Sequence, residues 1–579
     1  MRPPDDWWIL SHEPTPAISS ESEESEDGND QEQSDSYNSK LYVSEGEDEE
    51  DSEEFAGAAH DLDPKSLQQA LAQSDGNKWQ EAAKLEMDSH ASNGIWELVD
   101  LPPGAKTIGC GWVFRLKCNA DGSIEQYKTH LIAKGYSRHP GFDYTEVFTP
   151  TFHYAAIWTI IMLAAVNDLY LCLVDISHAF LNGDLEETIY MHQAEGFHSG
   201  SSNKVYLLRK SLYGLKQVVR QWNKKLHNAL ASMGFKRLDS DCSIYIFLHG
   251  DVHIIIPIFI DDIIFASSNS AAIDCVVKEL SSHFKLCDLG PTSFLLGIEI
   301  ICNLAKHQIS LSQCQYIIDT LEHFNMSDCN PIGTPMDPGA QLSSSMPPQS
   351  PEEQKIMDKI PYLSAVGTLQ YLATSTHPDI SFTVGVLACF NSNPGIQHWN
   401  AVKHLFCYLK GTLDYKLVYG PTDSSQLFIT YTDADHGGNP DNGCSTGGYA
   451  VVIGGGAVSW SSRLQPVVTL STTQAEYIAV VEARKELVWM QNLLAEFGYT
   501  PSHLLIDNNS AVTVSKNPEH HGHMKHLDFQ SHWLRDTVEA GIITPIHVPT
   551  SLQPADILTK PLKHQKIDVC LDLLGIQKK

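Results

Sequence analysis

Two places in the first half of the chain set carboxylates inside strongly apolar runs. Leu173-Val174-Asp175-Ile176 carries one acid, and the isoleucine-rich run 254–260 ends in Asp261-Asp262 before Ile263-Ile264-Phe265. The first reads as a strand and the second as a hairpin with two acids at its tip. An ionised carboxyl in such surroundings is costly without a partner, and a divalent cation is the natural one. A pair of such ions is the device for in-line displacement at phosphorus, one activating a hydroxyl and the other holding the departing pyrophosphate. Asp-Asp is also a good turn former, and spacing alone leaves both readings open. A second set follows. Asp433 ends a strand in Tyr431-Thr432-Asp433, Glu476 lies near the start of a helix, Asp507 follows Leu504-Leu505-Ile506, and Asp556 lies in Ala555-Asp556-Ile557-Leu558-Thr559-Lys560. Any one of these is more often a cap or a surface acid. Taken in the order strand, helix, strand, helix, the four can hold two metals across a phosphate and activate water. Asp435 competes with Asp433 for the first place, and Asp433 is preferred because it directly ends the strand.

The elements that must position these acids follow from the apolar periodicity. Residues 63–90 have helical spacing (Leu67, Ala70, Leu71, Trp79, Ala82, Leu85), and 95–136 turn to short strands with Gly122 in a turn. Apolar strands alternate with helices over 155–300, the pattern of an α/β layer. Residues 343–351, rich in Ser, Pro and Gln, read as an exposed loop, and 362–413 as helical with Trp399, Leu405 and Leu409 on one buried face. A second α/β unit spans 427–560, with strands near 427–432, 449–453, 458–461, 504–506 and 542–548 and a helix over 475–496.

Charge bears on partners only locally. The 579-residue chain has a formal net charge of −32, yet residues 1–54 hold 19 Asp and Glu against Arg2 and Lys40 alone. That arm carries too little apolar surface to offset chain entropy and is expected to be disordered. Residues 204–225 hold seven basic residues and no acid; Lys216, Arg220 and Lys224 recur every four residues and share a face if the stretch is helical. Such a stripe suits phosphate contacts, or is a solvated helix face. Thirteen cysteines with no C-x-x-C pair exclude a zinc knuckle or ribbon and fit reduced thiols. No secretory signal is legible at the N-terminus, and the apolar runs 155–166 and 254–260 are too short to cross a bilayer, so a soluble, non-secreted protein is expected.

The words around the acids resemble the copia-type retrotransposon Pol polyproteins in their reverse transcriptase and ribonuclease H region. They are Leu173-Val174-Asp175-Ile176-Ser177-His178-Ala179-Phe180-Leu181-Asn182-Gly183-Asp184-Leu185, Trp96-Glu97-Leu98-Val99, Leu101-Pro102-Pro103-Gly104 and Gly109-Cys110-Gly111-Trp112-Val113-Phe114. Ser211-Leu212-Tyr213-Gly214-Leu215-Lys216-Gln217 and Asp288-Leu289-Gly290 with Phe294-Leu295-Leu296-Gly297 continue in family order, and the likeness runs from about Trp79 to the C-terminus. The resemblance implies a multidomain α/β and α+β chain. A disordered arm (1–60) precedes fingers, palm and the start of a thumb (61–325); a thumb and connection (326–425), a ribonuclease H-like domain (426–566) and a C-terminal tail (567–579) follow. It implies an RNA-directed DNA polymerase with ribonuclease H activity, using Mg²⁺ (two ions per site, Mn²⁺ as a substitute). Asp175 and Asp261 would be metal ligands with Asp262 the third acid, and Asp433, Glu476, Asp507 and Asp556 would hold the nuclease metals. Phe180 would be the gate against a ribose 2′-hydroxyl, with Tyr213, Lys128 and Lys134 at the incoming dNTP. Lys216, Arg220, Lys224, Phe294 and Gly297 would contact nucleic acid, the last two at the primer grip. Partners would be RNA template, DNA or RNA primer, RNA–DNA hybrid and dNTPs, with capsid and integrase of the same element and no membrane. The expected place is cytoplasmic virus-like particles, with the nucleus second.

Departures from the family pattern bear on activity. The usual Lys-Ala-Arg-Leu is Lys128-Thr129-His130-Leu131, Ala-Pro-Arg is Val218-Val219-Arg220, Trp158 stands where Arg is common, and Tyr-Val-Asp-Asp is Phe259-Ile260-Asp261-Asp262. Pro257 is expected to interrupt a central strand. Two readings stay open: an active enzyme, or a relic that binds nucleic acid or keeps only the nuclease. His521, His523, His526 and His532 are read as structural or surface residues in preference to metal ligands, and no catalytic histidine precedes Asp556 other than His547, which lies on the expected strand.

Overall fold

The computed structural model describes residues 64–118, 124–138, 153–201, 203–250, 252–422, 428–499, 503–506, 512, 536–541 and 543–578. The acidic arm, the turn at Gly122, Asp507 and the histidines 521–532 lie outside the described residues. The chain divides into two compact units, Met1–Thr149 with His178–Leu226, and Pro150–Ser177 with His227–Lys579.

In the first unit the expected helical stretch becomes two helices, Leu67–Ala72 and Gly76–Ser92. Ser66 starts the first by accepting the Gln69 N–H on its side chain. Trp79, Ala83, Glu86 and His90 line the buried face of the second, at helical spacing. Trp79 packs edge-on against Phe114 at 5.5 Å and Tyr127 at 4.8 Å. Those rings come from the hairpin Cys110–Cys118 with Ile124–Ala133, so one indole ties the helix to both strands. A separate four-stranded sheet has the order Trp96–Asp100, Lys204–Lys210, Asp184–Met191, Thr107–Ile108.

The second unit contains the six-stranded sheet that carries the first acid set. Its order is Leu286–Pro291, Tyr170–Ile176, Asp262–Ser267, Val252–Phe259, Ile244–His249, Lys236–Arg237. The helix Tyr154–Val166 is buried almost all round, as its unbroken apolar composition demands. Trp158 is 1% exposed there, in a setting where an arginine would be a buried charge. Pro257 does not end its strand. It pairs with Ile244 on one side, while on the other the ladder skips Ile256 and Pro257 and resumes at Ile258↔Ile263 in unchanged register. The missing amide costs a rung, and the flanking isoleucines hold the alignment.

Helices Tyr362–Ser375, Ser381–Ala388 and Ile396–Gly411 enclose a core in which Leu369, Leu405 and Leu409 are fully buried and Trp399 partly so. The loop expected at 343–351 ends at Ser350, which caps the helix Pro351–Met357, and Ser343 and Ser344 both donate to Asp441. The boundary expected at 325 is crossed by a sheet, because Tyr415–Tyr419 pairs with Gln308–Ser312. The residues expected as a tail are likewise built in: the helix His564–Leu573 leads to Ile576–Lys578, which pairs with Tyr415–Tyr419.

The C-terminal sheet has the order Gly456–Leu464, Thr446–Ile453, Phe428–Ala434, His503–Ile506, Thr544–His547. Its first three strands are antiparallel and the last two join in parallel. The long helix Thr472–Ala495 lies across it, capped by Ser471. That helix also holds on to the first half of this unit. Trp489 donates to the Ser240 carbonyl at 3.1 Å, and Glu496 accepts the Asp239 and Ser240 N–H groups at 3.1 and 2.8 Å.

Candidate active sites

Asp175 and Asp262 face each other across adjacent antiparallel strands, and Phe259↔Asp262 closes a hairpin with Ile260 and Asp261 as its two-residue loop. The Ile176 N–H donates to the Asp261 carbonyl at 3.0 Å, which pins the loop against the neighbouring strand. Ile260 has φ of 53°, a left-handed conformation that a β-branched residue adopts only when its surroundings force it. All three acids are half-buried. Burial, then the charges of Asp261 and Asp175, push the Asp262 carboxyl up to about 7. Every one of those causes opposes a further negative charge, so the site favours a cation.

The oxygen donors suit Mg²⁺, which takes hard ligands. Among the described residues no three His, Cys, Asp or Glu side chains close tightly enough to hold an ion unaided. Mg²⁺ commonly uses one or two carboxylates and completes its shell from water and substrate phosphates.

The remaining residues of the first set are placed as follows. Phe180 is buried in the short turn Ala179–Asn182, edge-on to Tyr213 at 5.7 Å. Tyr213 in turn lies 4.8 Å from the ring of His130. His130 points inward: its Nδ1 is 3.1 Å from Glu86 Oε1, the oxygen that His90 Nε2 also approaches at 3.1 Å. Burial opposes the charge on Glu86, but its bonds to His130 and His90 hold the carboxyl well below the usual range. Lys128 stands opposite Arg115 in the hairpin, and the exposed Lys134 runs its stem along Gly109 and Gly111.

The basic stripe needs correction. The helix begins at Val218, so Lys216 lies in the turn before it, and only Arg220 and Lys224 are on the helix. Lys224 Nζ sits 2.5 Å from Glu186, and Lys225 Nζ 2.5 Å from Asp184. Acids of the strand Asp184–Met191 thus offset part of the stripe. Phe294 is 56% exposed at the start of a hairpin whose loop is Leu296-Gly297, both at positive φ. Two left-handed residues make the tight turn that matches strand twist. The Tyr371 hydroxyl donates to the Leu296 carbonyl from the helix Tyr362–Ser375, a clamp the sequence did not reveal.

In the second set, Asp433 lies on the strand Phe428–Ala434 opposite Gly448, 1% exposed. Glu476 is on the helix Thr472–Ala495, 6% exposed. Asp556 lies in a 3₁₀ turn, Pro554–Leu558, in place of the expected helix, and is 2% exposed. Lys560 joins two of them: its Nζ is 3.1 Å from Asp433 Oδ2 and 2.7 Å from Asp556 Oδ1. Burial works against the lysine charge, but the two carboxylates hold it well above its ordinary range. The Thr559 hydroxyl donates to Asp433, and Lys566 lies 3.1 Å from Asp556 Oδ2. Asp435 is turned away, accepting the Thr446 N–H. The donor set is again hard oxygen, in a place already held by a positive charge, so the residues present fit a divalent ion. Sequence reasoning missed Lys560 and Lys566. For Lys560 the signal available was a lysine four residues after an acid, where helical or turn geometry brings the two together; Lys566, ten residues after Asp556, offered none.

With this geometry in view, the comparisons with known proteins can be placed. The family described as reverse transcriptase (RNA-dependent DNA polymerase) matches residues 93–338. A retrovirus-related Pol polyprotein from transposon TNT 1-94 of Nicotiana tabacum is 39% identical over 529 residues, which cover 91% of this chain and 40% of that one. The Pol polyprotein from transposon RE1 of Arabidopsis thaliana is 35% identical over 523 residues, 90% of this chain and 35% of that one. A putative transposon Ty5-1 protein of Saccharomyces cerevisiae is 32% identical over 317 residues, 54% of this chain and 100% of its own length. The chain therefore spans 40% or less of the two polyproteins it matches. Among solved structures, a foamy viral protease-reverse transcriptase in complex with RNA/DNA hybrid aligns over 81% of this chain and 54% of its own, at 11% identity and a TM-score of 0.45. This chain belongs to the copia-type retrotransposon Pol polyproteins and carries their reverse transcriptase domain.

Proposed function

We propose that the chain is an RNA-directed DNA polymerase with ribonuclease H activity, working at two separate carboxylate sites. The observation that carries the reading is the palm hairpin: Asp175 and Asp262 in register, Asp261 in the loop between strands, and an Asp262 carboxyl pushed up to about 7 by burial and then by its acidic neighbours. In this reading Asp175 and Asp261 bind Mg²⁺, which would lower the barrier by stabilising charge on the attacking and leaving oxygens. The chain's own part is to hold the acids on rigid strands and keep the turn pinned through Ile176. Phe180, backed by Tyr213, would be the side chain that rejects a 2′-hydroxyl, the group that distinguishes ribose. Phe294 and Gly297 on the hairpin clamped by Tyr371 would meet the primer.

The nuclease would use Asp433, Glu476 and Asp556, with Asp507, to remove RNA from the hybrid product. Two-metal hydrolysis needs buried oxygen ligands on rigid elements, which the strand and the long helix supply. The finger substitution at His130 weighs less against activity than the sequence suggested, because this side chain is spent on a buried contact with Glu86. Virus-like particles remain the proposed place of action. The test is Mg²⁺-dependent incorporation of dNTPs on a primed RNA template by the purified chain, beside Asp261→Asn. Incorporation lost in the variant supports the reading; folded wild-type protein that incorporates nothing sinks it.

A further inference from the structure

The nuclease site already contains a cation. Lys560 Nζ lies within 3.1 Å of Asp433 Oδ2 and 2.7 Å of Asp556 Oδ1. The two acids are 2% and 3% exposed by side chain, whereas the lysine is 38% exposed, so the ammonium closes over the acids from the solvent side. Its neighbour Lys566 is held differently. That lysine touches Asp556 Oδ2 but is also anchored by the Thr550 and Ser551 carbonyls at 2.6 and 3.1 Å. Lys566 is therefore tied to the backbone, and Lys560 is held by the two carboxylates it bridges.

An ammonium and a divalent ion cannot share these oxygens. With Lys560 displaced and no metal bound, Asp433 and Asp556 would lose the cation that bridges them, with Lys566 remaining on Asp556 alone, so the pair is more stable with either Lys560 or metal between them. We propose that Lys560 is a displaceable internal counter-ion of the nuclease site, competing with divalent metal for Asp433 and Asp556 and swinging outward when metal binds. The competition keeps the metal-free site folded and raises the metal concentration the nuclease needs. The long, flexible stem of a lysine suits an exchange that a rigid, always-charged arginine fork would resist. This inference rests on the reading of Asp433 and Asp556 as metal ligands.

The experiment is Mn²⁺ binding to the full chain, followed by the paramagnetic resonance of free Mn²⁺, with Asp433→Asn defining which binding belongs to this site. Lys560→Met is expected to bind Mn²⁺ about tenfold more tightly there, the scale on which groups bonded to metal ligands alter affinity. Lys560→Arg is expected to bind no more tightly than the unaltered chain. Without metal, Lys560→Met should melt at lower temperature than the unaltered chain, and Mn²⁺ should recover more of its stability. Should the variant not fold, the unaltered chain serves: Mn²⁺ should make Lys560 more reactive toward an amine-acylating reagent, read by mass spectrometry. Equal or weaker Mn²⁺ binding by Lys560→Met, or acylation unchanged by Mn²⁺, overturns the displacement while leaving the metal-ligand reading intact. Mn²⁺ binding indifferent to Asp433→Asn overturns both.

Discussion

At the hairpin that ends in Asp261 and Asp262 three carboxylates press on one another, and burial with like charge drives Asp262 up to about 7. In the C-terminal sheet two carboxylates of deeper burial are bridged by Lys560, and Lys566 supports one of them. The residue types are alike, and the charge is handled in opposite ways. The six-stranded sheet sets Asp175 and Asp262 on neighbouring strands, where register places them close whatever their charge. The second site sets its acids on a strand and a turn, and the same turn brings its own lysine four residues on. A metal site can thus be held ready by strain or by a substitute cation, and the two modes respond differently to mutation.

The largest effect expected is on chemistry. Asp175→Asn should lower dNTP incorporation by roughly 10³-fold or more, since an ion that stabilises a transition state contributes several kcal/mol. Hybrid cleavage by the same protein should be little changed, and a parallel loss of both activities would mean that the two sites are not independent. Next is the first unit, where Glu86→Ala leaves His90 and His130 without their shared acceptor. Removing the acceptor of buried donors costs about 1–3 kcal/mol for each group left unsatisfied, to be read from the melting of that unit. Because the Glu86 carboxyl is held below its unfolded value, its contribution is present above that value and lost as pH falls toward acid.

A smaller effect separates the two sites by pH. Asp262 is raised in the folded chain, so its own contribution to metal-free stability is fully present below the unfolded carboxylate value and is lost as pH rises through about 7. Mg²⁺ should remove that slope. A metal-free stability that is flat from pH 4 to pH 8 would remove the like-charge argument at the palm. The smallest effect is Pro257→Val, which restores a donor to the skipped rung between the strands Val252–Phe259 and Asp262–Ser267. One net hydrogen bond is worth about 1 kcal/mol, visible as a modest rise in denaturation midpoint.

The sequence was informative where chemistry and periodicity coincide. Asp175, Asp261 and Asp262 could be placed because each interrupts an apolar strand, and strand pairing then had few registers to choose from. Asp433 and Glu476 were legible for the same reason, one ending a strand and one opening a helix. The basic stripe misled because the four-residue spacing was read through a turn. Gly214 has φ of 83°, and any side chain there would meet the Ala133 carbonyl oxygen at 2.1 Å. The backbone is therefore committed to a turn under the hairpin, and the helix waits until Val218. The Glu86–His130 contact joins residues 44 apart and leaves no periodic trace, so in the sequence His130 stands only as a departure from the family pattern. The strand Ile576–Lys578 was similarly hidden, because its partner Tyr415–Tyr419 lies before the nuclease sheet in sequence.

The contrast between the two sites is tested most directly by the metal-free melting of two variants at pH 8, Asp262→Asn and Asp433→Asn. Asp262→Asn removes an acid that only its neighbours' charges and burial oppose, so the account predicts a higher melting temperature than the unaltered chain. Asp433→Asn takes a buried partner from Lys560, so a lower one is predicted. Shifts of the same sign would contradict the claim that burial and like charge govern Asp262 while Lys560 offsets Asp433.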